Sequence, residues 1–550
     1  MTATGLLFVT NPKRLVSDGL NVINKYVRKT LYVQLLPSTH CYPITSKSED
    51  WKEKIGLQLP HLCRSIMKLY SKFSSCCPDL DTRVLLEPIK RSHVKNIITN
   101  RKVEVVIFDS GFKTQDIDGF VKSCVSNLSQ EYKVILIPEN NSVNNEDLQE
   151  DEEVFNTRSF DQIHDNVVLG GTFDRLHNGH KILLSEAILR CNQKLTIGVT
   201  DSSMVKNKLL CELIQPCEER IDLVRKFVED MDSSITYEIV PIDDPFGPTK
   251  SDPTLQLIVV SGETYKGALK VNDVRKEKGL PTLNIHEIPL LPNDCKQSAE
   301  EEDKMSSSAL RMHLLGTTLK KPEKQPRDPL SIDTEKVPYL LGLTGGIASG
   351  KSTVTNYLEK LGAGVINCDI LGHKAYEKGQ PCYHDLLKAF GSEIIDVNGQ
   401  INRQALGKIV FDDQDKLKLL NTIVWPHILE LLKKHIARMA SGGQHIVVVE
   451  AAVLVKAKWH VHCNEVWACI IPQSEAIRRL QDRVKLDYHE CEKRVLAQTP
   501  NSEAVAEANV VISTLWSREY TQKQVERGWK EMQCRAKYWS NSYVSPSSSL

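Results

Sequence analysis

Gly345-Gly346-Ile347-Ala348-Ser349-Gly350-Lys351-Ser352 fits G-x-x-x-x-G-K-[ST] at every fixed position. The apolar run Tyr339–Leu343 precedes it, and a helical pattern opens at about Lys351. A strand, a glycine-rich turn and a helix start make the context in which such a loop holds phosphate. The glycines let backbone N–H groups turn inward, and the helix N-terminus adds positive partial charge. Lys351 can reach the outer phosphates, the Ser352 hydroxyl can hold Mg²⁺, and Thr353 follows on the same turn. This reading makes residues 337–540 a nucleotide-binding α/β domain. Further strands are expected at Ala363–Ile366, Ile446–Val449, Val466–Ile471 and Val510–Ile512, with helices between.

A second signature lies upstream. Gly170-Gly171-Thr172-Phe173-Asp174-Arg175-Leu176-His177-Asn178-Gly179-His180 follows the strand Val167–Leu169 and opens a helix expected from about Gly179 to Arg190. It resembles the G-T-F-D…H-x-G-H string of the nucleotidyltransferase superfamily, which has a Rossmann-like fold. The turn at Gly171, Thr172 and Phe173 admits ATP, and His177 and His180 flank a glycine at a helix start. They can donate hydrogen bonds to an α-phosphate as charge builds on it. Lys304-Met305-Ser306-Ser307-Ser308-Ala309-Leu310-Arg311 is a Ser-rich turn before a helix, matching that superfamily's second element. Ser306, Ser307, Ser308 and Arg311 are thus candidates for binding pyrophosphate. Other strands are expected at Leu195–Val199, Leu255–Val260 and Leu283–Ile288, within a domain at 161–315.

Each domain also resembles a particular enzyme family. Val167 to Arg311 is similar to eukaryotic phosphopantetheine adenylyltransferase, on Gly198-Val199-Thr200-Asp201, Pro216-Cys217-Glu218-Glu219-Arg220 and Ser261 to Gly267. That resemblance implies a lysine on the transferring phosphate, either Lys206 or Lys208. LLGLTGGIASGKS, Leu340 to Ser352, with Val365-Ile366-Asn367-Cys368-Asp369, resembles dephospho-CoA kinase. It implies that Asp369 is the base for the ribose 3'-hydroxyl. Ile470-Ile471-Pro472-Gln473 with Arg478, Arg479, Arg483, Arg494 and Gln498 resembles that family's lid, and implies Arg483 as a charge clamp. Three positions depart from the kinase pattern: Asn367 replaces an aspartate, Val484 replaces an aspartate, and Glu450 is followed by Ala-Ala-Val-Leu rather than Pro-Leu-Leu-Phe. Together the halves resemble the animal CoA synthase family, which fuses these two enzymes. ATP, 4'-phosphopantetheine and dephospho-CoA are the implied ligands, with Mg²⁺ as cofactor. The rival expectations are another nucleotidyltransferase–kinase fusion and a nucleotide-binding scaffold with one inactive half.

The bulk composition sets the outer bounds. The chain has 550 residues, 41% of them hydrophobic, enough for several soluble domains. Lys+Arg and Asp+Glu are both 70, so the net charge gives no reason to expect nucleic acid as a partner. No apolar run nears the roughly 18–20 residues of a membrane-spanning helix. The 15 cysteines lack zinc-site spacing and read as reduced thiols of a cytoplasmic protein. Residues 1–138 form an N-terminal α/β domain, with strands expected at Leu31–Leu36, Val84–Leu86, Val103–Phe108 and Val134–Ile137 and a helix from Trp51 to Phe73. No chemistry is legible there. In the family it occupies the place of a regulatory or localising region, which implies protein or membrane-surface association. Lys13, Arg14, Lys25, Arg28 and Lys29 against Asp18 suit a solvated helix face, or else a weak targeting segment that would associate the chain with mitochondria. Acidic 139–160 and proline-broken 316–336 read as linkers, and 541–550 as a polar tail.

Overall fold

The computed structural model describes residues 2–12, 15, 17–36, 51–87, 97–112, 117–138, 162–293, 296–334, 337–411 and 413–542. The acidic stretch 139–160 and the tail beyond 542 lie outside the described residues. The chain divides into two compact units, Met1–Leu310 and Arg311–Leu550.

The first unit holds two parallel sheets. In the N-terminal one, β1 (Thr2–Val9), β2 (Val27–Leu35), β3 (Asp81–Val84), β4 (Val103–Phe108) and β5 (Leu128–Leu136) lie in the order β3-β2-β1-β4-β5. Its helices are α1 (Ser17–Tyr26), α2 (Trp51–Cys76) and α3 (Ile117–Cys124). The central strand β1 is where sequence reading falls short. Leu6-Leu7-Phe8-Val9 is too short for a signal-peptide core, yet those four residues are fully buried between β2 and β4. Of the basic stretch, Lys25 is exposed on α1, whereas Arg28 and Lys29 are exposed on β2 and so belong to a strand, not a helix face. Lys13 and Arg14 lie outside the described residues.

The second sheet has β6 (His164–Gly171), β7 (Cys191–Thr200), β8 (Thr236–Ile242), β9 (Leu257–Ser261) and β10 (Asn284–Ile288), in the order β10-β9-β6-β7-β8. Its helices are α4 (Asn178–Arg190), α5 (Ser202–Val205), α6 (Cys217–Met231) and α7 (Tyr265–Glu277), followed by α8 (Ser307–His313). Counted from the N-terminal strand of each sheet, the two orders are the same. Setting Val9 on Leu169 puts Ser17-Asp18-Gly19-Leu20 on His177-Asn178-Gly179-His180 without a gap. One continuous apolar core runs through both sheets, from Leu6 to Leu291.

The second unit has a parallel sheet of β11 (Tyr339–Gly345), β12 (Gly364–Asn367), β13 (Ile446–Glu450), β14 (Glu465–Ile470) and β15 (Val510–Ser513), ordered β12-β13-β11-β14-β15. All five match expectation within two residues. Helices α9 (Lys351–Lys360), α10 (Cys368–Ala375), α11 (Pro381–Phe390), α12 (Arg403–Phe411) and α13 (Gln414–Ser441) precede α14 (Gln473–Val484), α15 (Tyr488–Leu496), α16 (Asn501–Glu507) and α17 (Arg518–Ser542). The start of the stretch expected as linker follows the sheet: the Gly316 N–H donates to Val511 O at 2.9 Å and the Leu319 N–H to Asn509 O at 2.8 Å. Leu330 is buried in the core of this unit. No helix among the described residues is long and apolar enough to cross a membrane.

Two candidate phosphate-handling sites

The loop after β6 is shaped by backbone and by one arginine. Phe173 and Arg175 both have φ of 50°, a left-handed conformation uncommon outside glycine. Asp174 between them is fully buried and accepts from the Gln215 N–H at 3.0 Å. Arg220, 1% exposed, ties the sheet edge together by donating to Thr172 O at 2.6 Å, Thr200 O at 2.8 Å and Gln215 O at 2.8 Å. No role for Arg220 is legible in the sequence, because one guanidinium serving carbonyls at two strand ends and in a loop is a tertiary arrangement.

This frame places the two histidines together. The rings of His177 and His180 stack with centroids 3.9 Å apart, and Phe173 backs His180 at 5.3 Å. His177 is the N-cap residue of α4 and makes no capping hydrogen bond through its side chain. Burial pushes the His180 imidazole down to about 4; buried Asp174 opposes the shift and the charge of Lys208 adds to it. His180 is therefore neutral at pH 7, and its Nδ1 is buried without a hydrogen-bond partner. Lys206 and Lys208 are both exposed after α5, and Lys208 is the one whose charge reaches His180. The Ser307 hydroxyl donates to Asp174 O at 2.9 Å and lies 3.5 Å from His177 Nε2. Ser306 Oγ accepts from the Ala309 N–H at 3.2 Å, so it caps α8. Ser308 is part-exposed on α8, and Arg311 on the same helix is 2% exposed. Gly171 ends β6, and Thr172 follows it at the mouth of this loop.

The loop after β11 curls under similar constraint. Gly345 and Gly350 have φ of 148° and 85°. A Cβ on Gly345 would lie 2.4 Å from Cys469 O, and one on Gly350 2.6 Å from Thr514, so neither position accepts a side chain. Ala348 also adopts positive φ, 60°, and Ser349 is buried beneath it. Gly346 faces open space. Lys351 Nζ donates to Gly345 O at 2.9 Å and Gly346 O at 3.1 Å, lying along the loop it opens. Ser352 and Thr353 follow in the first turn of α9, and Ile347 packs on Ile477 and Leu480 of α14.

Glu450 lies within reach of that lysine's charge, and Asp369 within reach of Glu450. Glu450, at the end of β13, is 4% exposed, and burial raises its pKa against the pull of Lys351, with the Asp369 charge raising it further. Asn367 donates to Glu450 Oε2 at 2.9 Å and accepts the Ile370 N–H at 3.0 Å. The cap of α10 is therefore Asn367, and Asp369 stands exposed in the first turn, free of the capping role. Sequence reading undervalued Glu450, because its closeness to Lys351 comes only from β13 pairing with β11. On α14, Arg483 is exposed. Arg479 instead reaches the loop, donating to Ala348 O at 3.4 Å, Thr514 Oγ1 at 2.8 Å and Thr514 O at 2.6 Å. Thr514 Oγ1 donates in turn to Ser349 O at 2.9 Å.

Comparison with known proteins follows the same division. Residues 339–515 match the family model described as dephospho-CoA kinase, and residues 168–313 match one described as cytidylyltransferase-like. The dephospho-CoA kinase of Carboxydothermus hydrogenoformans is 38% identical over 186 residues, 34% of this chain and 90% of that protein. That of Moorella thermoacetica is 37% identical over 196 residues, 36% of this chain and 92% of that protein. A dephospho-CoA kinase domain-containing protein of Danio rerio is 37% identical over 193 residues, 34% of this chain and 83% of that protein. Through its C-terminal unit the chain belongs to the dephospho-CoA kinase family, and it carries a cytidylyltransferase-like domain ahead of that unit.

Proposed function

We propose that the chain performs the last two steps of coenzyme A synthesis, adenylylating 4'-phosphopantetheine at the end of β6 and phosphorylating dephospho-CoA at the end of β11. In the first step the pantetheine phosphate attacks the α-phosphorus of ATP and pyrophosphate leaves. His177 and His180 donate to the α-phosphate, His180 as a neutral imidazole, while Lys208 supplies positive charge and the Ser306–Ser308 turn with Arg311 takes the departing pyrophosphate. In the second step the γ-phosphoryl passes to the ribose 3'-hydroxyl. Asp369 takes the hydroxyl proton, the loop from Gly345 to Thr353 holds the phosphates, and Lys351 neutralises charge on the transferring group. Arg479 holds α14 on the loop, and Arg483 comes to the phosphates when the lid closes.

Mg²⁺ suits the second site: the Ser352 hydroxyl and the Glu450 and Asp369 carboxylates are hard oxygen donors around a phosphate loop. When bound there it would shield the β- and γ-oxygens. Support for the reading comes from two features, a pair of stacked histidines and a lysine-bearing phosphate loop, each at the carboxyl end of its own parallel sheet.

The test is to incubate the chain with ATP, Mg²⁺ and 4'-phosphopantetheine and identify products by mass. Coenzyme A should form, and CTP should not replace ATP. His180→Ala should abolish dephospho-CoA formation alone, and Lys351→Ala the kinase step alone, each by about 10²-fold or more. Preference for CTP would point to cytidylyl transfer, and an inert kinase half to a nucleotide-binding scaffold.

A further inference from the structure

The N-terminal sheet repeats the strand order of the next one, but Ser17 and Leu20 stand where His177 and His180 would be. It brings no second pair of imidazoles. What it does bring is a set of polar contacts on the helix that carries the first pair.

Helix α4 is buried on nearly all sides from Lys181 to Arg190. A helix lying on a sheet normally leaves its outer face in water. Here α2 covers that face, packing Leu59, Leu62, Ile66, Tyr70 and Phe73 into the shared core. The polar contacts cluster at the start of α4. Asn178, between the two histidines, donates to Ser74 Oγ at 2.7 Å and Tyr70 O at 3.3 Å. Ser74 is 8% exposed and its hydroxyl donates to Tyr70 O at 2.7 Å, so the acceptor is itself fixed. Lys181, directly after His180, is 3% exposed and donates to Asp81 Oδ1 at 2.8 Å and Thr82 O at 2.9 Å. Asp81 also takes Arg83 at 2.8 Å, and Arg83 reaches Asp230 at 2.5 Å on α6, the other helix of that domain facing this seam.

Burying Lys181 is costly, and a well-packed apolar side chain would hold the seam as well. What an ammonium and an amide add is direction. Residues 178 and 181 lie on one helix face, about 100° around from 177 and 180. A small rotation of α4 that moved the rings would break both contacts. We propose that the N-terminal domain is a positioning element of the adenylyl-transfer site, holding the start of α4 through Ser74 and Asp81. The proposal rests on the function assigned above to His177 and His180. Ser74 and Asp81 are positioning residues, since they act through α4 and not on substrate.

The experiment uses the full chain carrying Ser74→Ala with Asp81→Asn. The expected result is a fall of about tenfold in kcat for dephospho-CoA formation, with KM for ATP little changed, because ring misplacement acts on the transition state. Phosphorylation of added dephospho-CoA should match the parent, and thermal unfolding should stay cooperative at a lower midpoint, because buried Lys181 loses its counter-charge. Ser74→Thr, which keeps the hydroxyl, should recover most of the rate when Asp81 is left intact. In histidine-labelled protein, the ring signals of His177 and His180 should move, and those of His427 and His489 should not. An unchanged kcat overturns the proposal. So does a loss of kcat that comes with loss of the unfolding transition, because the contacts would then serve only stability. If the parent chain makes no dephospho-CoA, the functional reading fails separately. The ring signals then decide the positioning alone, and unmoved signals overturn it.

Discussion

His180 shows how one side chain carries both legible and hidden properties. Its place in the H-x-G-H string was readable, but its protonation was not. Burial holds the folded imidazole at about 4 against an ordinary 6.5. Between those values the unfolded chain binds a proton that the folded chain refuses, so stability contributed through this residue falls as pH drops from 6.5 towards 4. Above 6.5 the effect vanishes. The stability lead of the parent over His180→Asn, measured by urea unfolding, should therefore shrink between pH 7 and pH 4.5. A lead that stays constant would mean an imidazole that titrates normally. The arginines of α14 show the reverse case, with side chains legible as a group and not as individuals. Arg479→Ala removes three donor contacts that tie α14 to Ala348 and Thr514, and should lower the kinase rate by about 10²-fold without touching dephospho-CoA formation. Half-reaction kinetics on the purified variant would check this.

At the scale of elements, the strands read best where they are short, apolar and buried on both faces. Four of the five strands of the C-terminal sheet are of that kind, β11 and β13 to β15 being buried at every residue, and the edge strand β12 is buried at alternate positions. In the middle sheet β8 is not legible, because Thr236–Ile242 buries only Ile239 and Ile242, leaves the rest part or fully exposed, and contains Pro241. It is an edge strand, and an edge tolerates both. Helix α17 is joined to the kinase sheet by a buried charge that no pattern announces. Glu465 on β14 is fully buried and receives Arg535 at 2.8 and 3.0 Å, Tyr339 Oη at 3.0 Å and Trp467 Nε1 at 2.8 Å. Removing the arginine leaves a carboxylate without its cation. Arg535→Met should cost about 3 kcal/mol in urea unfolding, and adding Glu465→Gln should return part of that loss, because the remaining partners suit a neutral amide.

At the scale of the whole molecule, the two sites share no residue, and each is built on its own sheet. Under the proposed function, dephospho-CoA released from one site should reach the other through solution. A mixture of His180→Ala and Lys351→Ala chains, neither of which makes coenzyme A alone, should make it together, with a lag that shortens as protein concentration rises. Mass analysis over time would show it. Failure to form any product would mean that the intermediate must pass within one chain.

Local sequence determined both loops. A glycine-rich turn between an apolar strand and a helix start has few conformations open to it, and Gly345 and Gly350 leave no room for a side chain. It also determined the alternation of strand and helix that makes parallel sheets, since that pattern is a periodicity of the chain itself. Only the tertiary structure decided which charges meet. Glu450 beside Lys351, Arg479 on the phosphate loop, and Ser74 and Asp81 on the start of α4 join residues about 100 to about 130 positions apart, a range over which local pattern carries no information about contact. Strand order and buried pairing set these meetings, and both are properties of the folded whole.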